Sequence, residues 1–250
     1  MNSETITYFW LLLTTAFVAS VLGSLYTRRR RKPLPLRSIR GYQLMPLAID
    51  AAIESNARAH ISIGSAGVGQ ASTLTALAAL TLVYELAERQ AFTQNLPIVT
   101  LSDPLGLAVA QDTLRRAYLT RNNFKTYQAY AAMWFPDGER SVAFGAGIAA
   151  LQGIENISSH LLLGRFGAEI AFVGETSMRR DTVFIGHSTQ LEGQAIAYVQ
   201  SDAALIGEEL FVGDAYLNPN NSSAMGRVLA MDTLRWVIIA AIIIAALVNR

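Results

Sequence analysis

Residues 59–67 read AHISIGSAG and residues 159–167 read SHLLLGRFG, an offset of 100. His60 aligns with His160, Gly64 with Gly164, and Gly67 with Gly167. In each copy a short apolar run ends in a glycine turn, the signature of a strand entering a helix. Each copy then continues as helix, strand, polar turn and helix. The polar turns are Leu101-Ser102-Asp103 in the first copy and Gly186-His187-Ser188 in the second. Two βαβ units that match by chance are the competing reading.

Working outward, strand-length apolar runs keep alternating with helical ones. Leu44–Ala57 reads as a helix, with Pro46 in its first turn. Thr73–Phe92 is a long Ala/Leu-rich helix, and Pro97–Leu101 is a strand. Asp103 and Pro104 suit the N-cap and first position of the next helix, which runs to about Thr120. Ala131–Phe135 and Ser141–Gly145 read as two strands around a Pro136-Asp137-Gly138 turn. Ile148–Asn156 reads as a short helix, His160–Leu163 as a strand and Phe166–Arg179 as a helix. Thr182–Gly186, Gln190–Gln200 and Ala203–Ile206 read as strand, helix and strand. This alternation predicts an α/β fold, a mostly parallel sheet with helices on both faces, built from two pseudo-repeated βαβ halves.

The ends of the chain have a different composition. Ile6–Tyr26 is 21 residues without a charge, about 31 Å as a helix and close to the thickness of a bilayer core. Trp236–Val248 is 13 consecutive apolar residues, bracketed by Arg235 and Arg250. Alone it is too short to span, and extending it to Leu229 takes in Asp232 and Arg235. The expectation is an N-terminal and a C-terminal transmembrane helix flanking the α/β domain. A buried or interfacial helix is the alternative for the second.

The 20 Lys and Arg nearly balance the 19 Asp and Glu, but they are segregated. Residues 28–40 hold seven cations and no acid, whereas 41–226 carry a net charge of −7. The run Arg28, Arg29, Arg30, Arg31, Lys32 reads as a membrane-surface collar. The positive-inside rule places it, and the domain after it, on the cytoplasmic side of an inner membrane. The expected divisions are an anchor over 1–27, collar and linker over 28–43, a cytoplasmic α/β domain over 44–226, and a second anchor over 227–250. A nucleic-acid binder is excluded by the single short basic run. The absence of cysteine excludes disulfides, thiolate metal sites and thiol catalysis.

Candidate ligand contacts cluster at the turns. Gly64-Ser65-Ala66-Gly67-Val68-Gly69 lies between a strand and a helix, where backbone N–H groups can hold an anion. It lacks both the G-x-G-x-x-G order and the P-loop lysine. Tight strand–helix packing explains the same glycines. The partner turn, Gly164-Arg165-Phe166-Gly167, adds a cation, so Arg165 is the strongest single candidate for an anionic ligand. Ser102, Asp103, His187 and Ser188 occupy strand-to-helix turns where ligands bind in open α/β sheets, though N-capping explains them equally. His60 and His160 lack metal-site spacing, so no metal and no cofactor is expected. No nucleophile elbow or other catalytic constellation stands out. Glu208, Glu209 and Asp214 form an acidic stretch that either pairs with the collar or is solvated.

HISIGSAG (60–67), SDPLGLAVAQDTLRRAY (102–118), SHLLLGRFGAE (159–169), IGEELFVGDAYL (206–217) and DTLRWVIIAAIII (232–244) carry a resemblance. Together they resemble an uncharacterised family of bacterial membrane-anchored proteins with a domain of unknown function. That resemblance implies no activity or catalytic residue. The expected function is non-catalytic: a membrane-anchored binding or assembly protein, whose partners are the lipid bilayer and either its own copies or other subunits of a membrane complex. Sensing of a nucleotide-like anion by the α/β domain is the alternative, and an enzyme of unknown class comes third.

Overall fold

Arg58–Gly64 is buried along nearly its whole length, and that burial decides where it sits. A strand with apolar or uncharged side chains on both faces belongs in the middle of a parallel sheet covered on both sides. The computed structural model describes residues 3–29, 36–136 and 141–248. Its helices are α1 (Ser3–Arg29), α2 (Arg40–Glu54), α3 (Thr73–Gln90), α4 (Pro104–Thr120) and α5 (Val142–Ile154). After these come α6 (Ile170–Arg180), α7 (Leu191–Gln200), α8 (Gly213–Leu217) and α9 (Ser222–Val248). The strands are β1 (Arg58–Gly64), β2 (Ile98–Leu101), β3 (Ala132–Trp134), β4 (Ile157–Arg165), β5 (Val183–Ser188) and β6 (Ala203–Ala204).

Two compact units result, one of residues 38–213 and one of 1–37 with 214–250. In the first, the six strands run in the order β3-β2-β1-β4-β5-β6, with parallel pairing throughout. Each half of the sheet has the same order of elements, β-α-β-α-β, and the halves meet where β1 pairs with β4. His60 stands opposite His160 in that pairing, so the sequence offset of 100 is also a spatial register. Helices α2, α3 and α4 pack together as one layer, and α5, α6 and α7 as the other. Under the second layer, Phe144, Ile148, Leu162, Phe166, Ile170, Val173, Phe184 and Ala197 form a continuous buried core.

Two local expectations change. Ser141–Gly145 is not a strand, because the Ser141 hydroxyl accepts the Phe144 N–H at 3.0 Å and starts α5 as its N-cap. The turn before it lies partly in 137–140, outside the described residues. Pro46 sits inside α2 rather than in its first turn, since the helix begins at Arg40.

The expected transmembrane anchors are overturned. Among the described residues, no helix is long and apolar enough to cross a membrane. In α9 the first half carries Arg227, Asp232 and Arg235, with Asp232 and Arg235 paired at 3.3 Å. In α1, Thr14, Thr15 and Ser20 interrupt the apolar residues. With no such helix among the described residues, the positive-inside argument for the domain over 44–226 loses its premise. Instead, α1 and α9 pack against each other in the second unit. They cross at small residues: a Cβ on Gly23 would come within 2.7 Å of the Gly226 carbonyl oxygen. Ala215, Ala224 and Met225 form a small buried cluster beside this crossing. In the same unit Asp214, from the acidic stretch, pairs with Arg227. Of the collar, Arg29 is exposed, the Arg28 side chain is not described, and Arg30, Arg31 and Lys32 lie outside the described residues.

Candidate functional site

Parallel strands put all their carboxyl ends at one edge of the sheet. The chain leaves β1 towards β2 and leaves β4 towards β5, in opposite directions, so a topological switch point lies between them. Ser65, Arg165 and the glycine turns sit there, with Ser102 and Asp103 after β2, and Ser188 at the end of β5.

The backbone donors of these turns are already engaged. Ser65 donates both its N–H and its hydroxyl to the Arg165 carbonyl, at 2.9 and 3.0 Å. The Gly67 N–H goes to the Ser72 hydroxyl at 3.0 Å, and the Gly69 N–H to the Thr73 hydroxyl at 2.9 Å. Asp103 accepts the Val68 N–H at 3.1 Å and the Gly106 N–H at 2.7 Å. In the second turn, Glu169 accepts the Gly167 N–H at 2.7 Å, and the Ser188 hydroxyl accepts the Phe166 N–H at 3.0 Å. Two carboxylates therefore sit on the N–H groups that a phosphate would need. A bound anion would have to displace them and lie beside like charge.

Gly64 and Gly164 serve packing. Gly64 has φ +62°, and a Cβ on it would run into the Arg165 carbonyl and the Phe166 ring. A Cβ on Gly164 would collide with the Ile63 backbone. Both glycines let the ends of β1 and β4 close on each other. Arg165 is half-buried, and its guanidinium has no described partner. Ser102 is buried, and its carbonyl accepts the Trp134 indole N–H at 2.8 Å.

Asp103 is the candidate whose structural role is most direct. It caps α4 and ties the first glycine loop to it. Asp103→Ala removes a cap, about 1 kcal/mol, and strands the Val68 N–H, about 1 kcal/mol or more. A loss of roughly 2–3 kcal/mol in urea unfolding is expected. An unchanged midpoint would mean that the carboxylate contributes no such tie.

All three histidines are fully buried. His60 and His160 meet with Nδ1 to Nδ1 at 2.8 Å, their rings edge-on with centroids 5.0 Å apart. His60 Nε2 also contacts the Thr100 hydroxyl at 2.8 Å, while His160 Nε2 is buried with no hydrogen-bond partner. With the two Nδ1 atoms 2.8 Å apart, one donates a proton and the other accepts it, and burial of both rings favours their neutral forms. Burial, reinforced by the His160 ring, holds His60 well below the usual histidine range. Burial holds His160 down to about 4. His187 contacts the Gly207 carbonyl at 3.1 Å, and burial lowers its pKa as well, against opposing pulls from that carbonyl, the Gly164 carbonyl and Glu209. Among the described residues no group of three or more metal-binding side chains converges.

The His60–His160 contact is what reasoning along the sequence missed. The signal was present in the aligned repeat, but it needed the knowledge that the two copies pair side by side.

A family profile with the description "domain of unknown function (DUF6754)" matches residues 2–250. The chain belongs to the DUF6754 family. The match spans both compact units, so the DUF6754 domain comprises the paired helices as well as the sheet. No curated protein and no solved structure matches this DUF6754 chain.

Proposed function

We propose that this chain is a non-catalytic assembly protein, joined to its own copies or to other subunits through the α1/α9 unit. One observation carries the proposal. The two helices keep small residues at their crossing and turn large apolar side chains outward. Phe17, Leu22, Trp236, Ile242 and Leu247 are each 60–70% exposed, with further Leu, Val and Ile beside them. An apolar surface of that extent on an isolated molecule is unfavourable and marks an interaction site. Helices with outward apolar faces gain most by packing against others of the same kind.

Light scattering on the purified full chain, in parallel with flotation on anionic liposomes, tests this. The expected result is a mass that is a multiple of the chain, or a stoichiometric co-purified subunit. A monomer that floats would give the apolar faces to a lipid surface instead, with the basic run at 28–32 as its electrostatic partner. A monomer that stays in solution would remove the assembly reading altogether.

A second reading, an anionic ligand at the β1/β4 switch point, has Arg165 in its favour and the Asp103 and Glu169 carboxylates against it. A thermal-shift screen of nucleotides and inorganic phosphate, with Arg165→Ala as control, decides it. A shift that the variant abolishes would restore the ligand reading.

A further inference from the structure

Helices α3 and α4 pack side by side and leave a groove of about 310 Å³ between them. That is the lower end of the range for small-molecule sites, about 300–1,000 Å³. Leu77, Thr81 and Tyr84 of α3 form one wall at helical spacing, and Val109 and Arg116 of α4 form the other. Leu80 and Thr113 are buried at the floor, whereas Leu77, Thr81 and Arg116 are exposed at the lip. The hydroxyls along the groove are already used. Thr81 donates to the Leu77 carbonyl at 2.9 Å, and Thr113 to the Val109 carbonyl at 2.8 Å. An occupant therefore meets no open hydrogen-bond group midway. At one end the Tyr84 hydroxyl pairs with that of Thr120 at 3.0 Å, and Arg116 supplies a charge. At the other end Leu74 and Leu105, 72% and 55% exposed, continue the two walls as an apolar mouth.

A charge at one end and apolar walls beyond it match an amphiphile. Asp112 is the one acid of α4, and two guanidiniums share it, Arg116 at 2.9 Å and Arg115 at 3.8 Å. One positive charge of this helix is left over for an anionic head. We propose that the α3/α4 groove binds a medium-length amphiphile, its carboxylate head on Arg116 and its unbranched apolar chain over Leu80 and Val109 towards Leu74 and Leu105. The head takes Arg116 from Asp112, which keeps Arg115. The pair given up is solvent-exposed and contributes little, so the exchange is easy. A guanidinium holds a carboxylate by two parallel hydrogen bonds, which a single hydroxyl cannot match. Leu77 to Tyr84 and Val109 to Arg116 are each a step of seven residues, about 10 Å at 1.5 Å per residue. Extended single bonds advance roughly 1.2 Å each, as in fully extended backbone, so about nine carbons fill that length. A partner's helix, about 17 Å long on average, would find only two turns of wall. Both helices of the groove belong to the 38–213 unit, so the proposal does not rest on the α1/α9 assembly reading.

Titration calorimetry of the full chain with decanoate, below its micellar concentration, tests this. Saturable binding at one site per chain is expected. Hexanoate, with the same head and a shorter chain, should bind at least tenfold more weakly, as should decanol, with the same chain and no charge. Arg116→Gln should weaken decanoate at least tenfold and leave decanol unchanged. Asp112→Asn frees Arg116 and should tighten decanoate several-fold. Thr81→Trp puts an indole into the groove and should abolish binding of both. All three positions are exposed on helix surfaces, so folding is retained, and circular dichroism checks it. The exposed apolar faces of α1 and α9 also attract decanoate, and the groove variants separate the two uptakes. Failure of decanoate to bind overturns the proposal, as does binding that Thr81→Trp leaves intact. Equal affinity for decanol, or equal weakening by Asp112→Asn and Arg116→Gln, overturns it too.

Discussion

Lowering the pH from 7.5 towards 4.5 is expected to remove a large part of the stability of this protein. His60 and His160 are neutral in the folded state, with pKa values below those they have when unfolded. Acid therefore favours the unfolded chain, where both rings take up protons freely. The stabilising contribution is complete above about pH 6.5 and is lost as pH falls from there through the folded-state value, about 4 for His160. At 1.36 kcal/mol per pKa unit, His160 alone accounts for about 3 kcal/mol over that window. In a chain of this size that is a fall in Tm of roughly 6–12 °C. His60 and His187 act in the same direction. Thermal melts followed by circular dichroism between pH 7.5 and 5 test this before most carboxylates titrate. His160→Leu should be less stable than wild type at pH 7.5, because His60 loses its Nδ1 partner, and should show a shallower loss with acid. A wild-type Tm that is flat across this range would be incompatible with a neutral buried pair.

Gly164→Ala is expected to be a severely damaging methyl addition through collision alone, without any left-handed backbone penalty. Gly164 lies beside Ile63 of β1, and its missing Cβ leaves room for the Ile63 carbonyl. Both groups belong to backbone at the centre of a sheet buried under two helix layers, so neither can yield as a side-chain end would. Overpacking usually costs about 1–3 kcal/mol, and a backbone collision exceeds that range. A loss of more than about 3 kcal/mol, or failure to fold, is the expected result. Gly69→Ala is the control. Gly69 has φ +85° but open space where a Cβ would go, so only the left-handed penalty of about 1–2 kcal/mol applies. Urea unfolding of the two variants separates collision from backbone preference. If both lost the same modest amount, the close approach of β1 and β4 would not be real.

Much of the α/β order was legible because it is local. Strand-length apolar runs at His60–Gly64 and Pro97–Leu101 and the Asp103-Pro104 helix start depend on side-chain periodicity and capping, which neighbours in sequence decide. The segment after the Pro136 turn was misread for the same reason. VAFG alternates weakly enough to pass for a strand, and only the Ser141 cap and the packing of Phe144 and Ile148 under the second layer hold it as helix. The terminal segments were legible as long apolar helices but not as a pair. What α1 meets depends on α9, nearly 200 residues away.

The candidate site divides along the same line. Composition and spacing alone settled that thiol chemistry is absent, that glycine turns end the two matching strands, and that the charges are segregated. Those are properties of residues and their immediate neighbours. What the donors of those turns meet was decided only in three dimensions. Asp103 reaches back across 35 residues to fill the Val68 donor, and Ser188 reaches 22 residues to fill that of Phe166. The parallel pairing of β1 with β4 turns two histidines 100 residues apart into one buried, proton-sharing pair. Hydrogen bonds and desolvation act over a few ångströms, so their outcome depends on which distant segments the fold brings within that distance.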